Sequence, residues 1–65
     1  MLYTKEEIRN FILSTLKSDN FKGTCRVSSI NSKCNDETVF LKTLEEMEDN
    51  GEIRVEMPFI ILGNA

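Results

Sequence analysis

Apolar positions recur along this chain with two periods, and each period marks an element. Ile8, Phe11, Ile12 and Leu16 fall at i, i+3, i+4 and i+8, the spacing of one helix face. Thr4 is the predicted N-cap, and Glu7, three residues on, completes a capping box. Tyr3 stands before the cap, where it can staple onto Ile8. Leu13 falls off the apolar face. The polar, turn-prone Ser18-Asp19-Asn20 ends this helix near Lys17 or Ser18.

A second helical pattern runs through Asp36–Ile53. Asp36 is a good N-cap, because its carboxylate accepts from an orphan N–H of the first turn. Phe40, Leu44 and Met47 then recur at i, i+4 and i+7. Gly51 stands where a left-handed residue closes a helix, since glycine takes positive φ without a Cβ penalty. Ile53-Arg54-Val55-Glu56-Met57 alternates apolar with polar and predicts a half-buried strand. Pro58 donates no N–H and breaks the ladder, so Met57-Pro58 is the expected tight reversal into a second strand, Phe59-Ile60-Ile61-Leu62. Gly63-Asn64-Ala65 reads as a frayed end.

Between the helices the pattern is weaker. Phe21–Val27 predicts a loop carrying a very short strand. Ser28–Cys34 predicts two turns of helix, with Ser28 as N-cap, Val27 as staple, and Ile30 and Cys34 on one side. Its Ser and Asn residues are poor helix formers, so packing must hold it. The expected core is Ile8, Phe11, Ile12, Leu16, Val27, Ile30, Cys34, Phe40, Leu44, Met47, Ile53 and Val55.

Helix, short strand, short helix, tight turn, long helix, glycine and hairpin follow in that order. With Val27-Ser28-Ser29-Ile30…Cys34 and Phe40…Leu44…Met47…Gly51-Glu52-Ile53, the chain resembles a minimal winged-helix domain of the helix-turn-helix class, as in small phage, plasmid and bacterial DNA-binding regulators. The resemblance covers nearly all 65 residues. It implies a single α+β domain: a three-helix winged helix-turn-helix with a small two- to three-stranded antiparallel wing hairpin. It also implies that Asp36–Asn50 is the helix that DNA-binding members lay in the major groove. Its groove-facing positions would be Glu37, Thr38, Leu41, Lys42 and Glu45. Here the chain departs from the family's use, because phosphates repel the carboxylates and Glu accepts only from a cytosine amine. The wing, Glu56-Met57-Pro58-Phe59, brings no cation of its own.

Composition narrows the chemistry. A net charge of −3 hides an asymmetry. Residues 1–35 carry six cations against three carboxylates, a balance of +3, and residues 36–65 carry two against eight, a balance of −6. A polyanion will prefer a surface drawn from the first half. The candidate nucleic-acid residues are Lys17, Lys22, Arg26, Ser28, Ser29, Asn31 and Lys33, with Lys42 added. Hydroxyls and helix N-termini suit phosphate oxygens, and the cations supply a salt-dependent term. The plain alternative is that these are ordinary solvated side chains. Phe21 beside Lys22 is the one aromatic–cation neighbour in the sequence.

Apolar residues also exceed what this core can bury. Phe59–Leu62 is apolar on both faces, whereas a strand with one wet face alternates. Leu13, Val39, Leu41, Phe59 and Ile61 are therefore candidate protein-interface residues, predicting a homodimer or a larger protein partner. The alternative is a central strand covered by Met1-Leu2-Tyr3.

Other classes receive little support. The chain has no His and two Cys, too few ligands for a tetrahedral zinc site, and no paired nucleophile and base. We expect no enzymatic activity, no metal or other cofactor and no small-molecule substrate. Cys25 and Cys34 are expected to be small buried thiols in a reducing cytoplasm. No apolar run is long enough to span a membrane. The sequence thus predicts a small nucleic-acid-binding accessory or regulatory protein, serving transcription or replication of a microbial or mobile element, with low sequence specificity. The alternative is a winged helix that binds a protein through apolar and acidic surfaces.

Overall fold

The computed structural model describes residues 1–63, in which three helices pack on one side of a three-stranded antiparallel sheet. The elements are α1 (Lys5–Lys17), β1 (Thr24–Arg26), α2 (Val27–Asn31), α3 (Glu37–Asp49), β2 (Ile53–Glu56) and β3 (Phe59–Leu62). Asn64 and Ala65, part of the expected frayed end, lie outside the described residues.

The two long helices begin and end by the expected devices. Thr4 caps α1, its hydroxyl accepting from the Glu7 N–H at 3.1 Å, while the Glu7 carboxylate accepts from the N–H groups of Thr4 (3.0 Å) and Tyr3 (3.2 Å). Tyr3 stays exposed, so its staple onto Ile8 adds little. Asp36 caps α3 by accepting from the Thr38 N–H at 2.8 Å. At the other end, Gly51 takes φ +78°. Its N–H donates to the Glu48 carbonyl at 3.0 Å, and the Glu52 N–H donates to the Met47 carbonyl at 2.9 Å. This pair of bonds is the Schellman motif.

The middle helix differs from expectation at both ends. It runs Val27–Asn31, not Ser28–Cys34, and Arg26 occupies the N-cap with no side-chain cap bond. Ser28 is not a cap because it lies inside the first turn, whose leading donor, the Val27 N–H, donates to the Pro58 carbonyl at 2.9 Å. The hairpin tip thus sets where the helix starts. At the other end, Cys34 leaves the helix to form a parallel bridge with Leu2. The Leu2 N–H donates to the Lys33 carbonyl at 2.7 Å, and the Asn35 N–H donates to the Leu2 carbonyl at 2.8 Å. The N-terminal segment therefore pairs with the α2–α3 connection and does not cover β3.

The sheet order is β1-β3-β2, so Phe59–Leu62 is the central strand. Thr24, Cys25 and Arg26 stand opposite Ile61, Ile60 and Phe59, and Ile53 through Glu56 stand opposite Leu62 through Phe59. The Met57–Pro58 turn between β2 and β3 has a cis peptide bond. Beyond β3, the Gly63 N–H donates to the Glu52 carbonyl at 2.9 Å. A Cβ at Gly63 would stand 2.3 Å from the Gly51 carbonyl oxygen, so the backbone leaving β3 lies directly against the Gly51 turn.

Ten apolar residues form the core: Ile8, Ile12, Leu16, Cys25, Ile30, Phe40, Leu44, Met47, Ile53 and Ile60. Phe11, Val27, Cys34 and Val55, expected inside, are half-buried against it. Cys25 and Ile60 take inner places because pairing of β1 with β3 turns both toward the helices. Thr43 is also buried, its hydroxyl donating to the Val39 carbonyl at 2.7 Å. That bond meets the requirement that a buried polar group be paired.

Candidate nucleic-acid interface

The residues singled out for polyanion binding fall on four parts of the fold. Lys17 ends α1, and the Lys22 N–H donates to the Ser18 carbonyl at 3.0 Å. Those two cations therefore share the turn after α1. Arg26, Ser28 and Ser29 share the β1–α2 junction, all exposed. Lys33 lies on the α2–α3 connection, and Lys42 is exposed on α3. Asn31 is half-buried, and its Nδ2 donates to the Glu37 carboxylate at 3.2 Å. That bond draws Asn31 away from a phosphate role. With only five residues in α2, its macrodipole is too short to serve as an anion site.

The ion pairs divide the cations cleanly. Lys5 pairs with Glu46 at 2.6 Å, Arg9 pairs with Glu52 through both of its carboxylate oxygens, and Arg54 pairs with Glu56. Among the described residues, Lys17, Lys22, Arg26, Lys33 and Lys42 make no ion pair. All five are exposed.

The long-helix face offers a polyanion less. Glu37, Thr38, Leu41, Lys42 and Glu45 are all exposed on α3, with two carboxylates against one cation. An open cavity of about 270 Å³ lies between Arg9, Leu13, Lys17, Glu52, Leu62 and Gly63. The hydrogen bond from Arg9 holds the Glu52 carboxyl below the ordinary carboxylate range, so that wall carries a full ion pair.

The sheet supplies a feature that adjacency along the chain does not reveal. The Arg26 guanidinium carbon lies 5.6 Å from the centre of the Phe59 ring, within the range of a cation–π contact. Phe21 and Lys22 are therefore not the only aromatic–cation neighbours. Phe59 and Ile61 point away from the core, and Arg54, which the sequence reading left out of the site, is on the same face. The alternation of Arg54 and Glu56 with Ile53 and Val55 signals that face, but the pairing of β1 with β3 is needed to bring Arg26 to it. Of the other proposed interface residues, Leu13 and Val39 pack against the core and Leu41 is 46% exposed.

Both cysteines are free. Cys25 is buried and Cys34 half-buried, its Sγ donating to the Ile30 carbonyl at 3.3 Å. Burial pushes both thiols up, leaving them protonated and poorly nucleophilic near neutral pH. Among the described residues no cluster of three or more metal-ligating side chains occurs, and no helix is long and apolar enough to cross a membrane. Comparison of the chain with protein-family models, with curated proteins and with solved structures finds no match in any of the three.

Proposed function

We propose that this chain is a small non-enzymatic nucleic-acid-binding accessory or regulatory protein of the winged-helix type that its sequence resembles. The reading rests on the division of the cations. The three that pair with carboxylates leave Lys17, Lys22, Arg26, Lys33 and Lys42 with their charge uncompensated. Phosphates provide that compensation, and release of their counterions drives association. Contacts of this kind position a protein without reading bases, so affinity varies little with sequence. The carboxylates of Glu37 and Glu45 on α3 argue against a conventional major-groove reader.

Fluorescence polarisation with a labelled oligonucleotide, single-stranded and duplexed, at about 50 and about 200 mM salt tests the proposal. Binding should weaken steeply with salt, and Lys22→Glu combined with Lys33→Glu should abolish it. Absence of binding at the lower salt overturns the reading. A protein-interaction module is the second reading, favoured by Leu41, which is 46% exposed on α3 beside the acidic run Glu45-Glu46-Met47-Glu48-Asp49.

A further inference from the structure

The outer face of the sheet is laid out in two cross-strand rows. Arg26, Phe59 and Glu56 form one, and Thr24, Ile61 and Arg54 form the other. The inner face is sealed, with Ile60 and Ile53 essentially inaccessible against the helices. The outer face has no element over it among the described residues, and Phe59, on the central strand at the hairpin end, is 38% exposed. We infer that this face is a stacking platform for single-stranded nucleic acid, with Phe59 and Ile61 receiving base faces and Arg26 and Arg54 receiving the flanking phosphates.

The inference rests on the nucleic-acid reading and names its ligand class. Stacking on an aromatic ring requires an unpaired base, because a duplex hides the base faces. The hairpin tip, Met57-Pro58, carries no cation to place in a duplex groove. The Arg26 guanidinium lies over the Phe59 ring in an exposed contact, which gives way on binding, so that a base takes the ring face and the guanidinium takes a phosphate. Arg54 is held by Glu56 in an exposed pair, and such pairs exchange readily for a stronger partner. The area argues against a second copy of the chain. Three strands of about four residues span roughly 14 by 13 Å, on the order of 200 Å². A stable protein interface needs about 800 Å² per partner.

Binding of a labelled oligothymidine and of its duplex with oligoadenosine tests the inference. The single strand should bind more tightly. Phe59→Leu, which keeps an apolar side chain on the sheet, should lower single-strand affinity about tenfold or more while leaving the salt slope unchanged. Phe59→Trp should restore affinity, and because the chain has no Trp, its emission should change on titration with oligothymidine. Salt-dependent binding that Phe59→Leu leaves intact, with no change in the emission of Phe59→Trp, overturns the platform and leaves the nucleic-acid reading standing. Absence of any salt-dependent binding by the parent chain overturns both. A parent dimer that Phe59→Leu dissociates overturns the platform in favour of a second copy.

Discussion

Lys22 holds φ at 53°, a left-handed conformation that costs an L-residue about 1–2 kcal/mol. A glycine there removes that cost and gives back about 0.5–1 kcal/mol through the freedom it adds to the unfolded chain. Charge and stability are thereby separable at one position. Lys22→Gly should leave the thermal midpoint at or above that of the parent, measured by circular dichroism. The same variant should bind single-stranded oligonucleotide more weakly, its salt slope reduced by about 0.7 for the lost phosphate contact. Arg26 contrasts with Lys22. It serves at once as N-cap residue of α2, end of β1 and cation over Phe59, so substitution there would disturb fold and site together.

At the scale of the element, the start of α1 is the clearest local device. The Thr4 and Tyr3 N–H groups hold the Glu7 carboxyl below its ordinary value. A carboxyl whose folded pKa is depressed contributes stability above its unfolded value, near 4.3, and loses it as pH falls through the lower folded pKa. Glu52, drawn down by Arg9, acts in the same direction. The thermal midpoint should therefore fall as pH is lowered from about 6 to about 3, and Glu7→Gln should shrink that fall. An unaltered pH profile for the variant would show that the ionisation of Glu7 contributes nothing to stability. The sheet edge shows a comparable device, the Glu48 carboxylate accepting from the Val55 N–H at 3.2 Å. A side chain from α3 thus occupies a donor on β2 that another strand could otherwise claim.

For the whole molecule, a single small core is the dominant source of stability. At about 0.05–0.15 kcal/mol per residue, a domain of this size is stable by roughly 3–10 kcal/mol. Leu44 is 4% exposed within the core cluster, and Leu44→Ala should cost about 2–5 kcal/mol. Urea denaturation should find the variant largely unfolded or close to it. Leu41→Ala, on the exposed side of the same helix, should shift stability by no more than about 0.5 kcal/mol. Equal midpoints for the two variants would show the core to be misplaced.

Features that act over a few residues are legible in the chain alone. The Thr4–Glu7 box, the Asp36 cap and the Gly51 stop each join groups within one turn of backbone. The apolar spacings of Ile8, Ile12 and Leu16, and of Phe40, Leu44 and Met47, name the buried faces because helical geometry alone brings those side chains together. The unpaired cations were legible as residues, since charge needs no fold to be counted. Features that depend on distant partners are set by how the elements pack. The Pro58 carbonyl moved the start of α2, and Leu2 drew Cys34 out of it. The place of β3 between β1 and β2 buried Ile60 and Cys25 and left Phe59 and Ile61 on the other side. A strand's alternation separates two faces but does not say which will be covered, because that depends on the elements that pack against it. The same pairing carried Arg26 to Phe59 and made the open sheet face a candidate site.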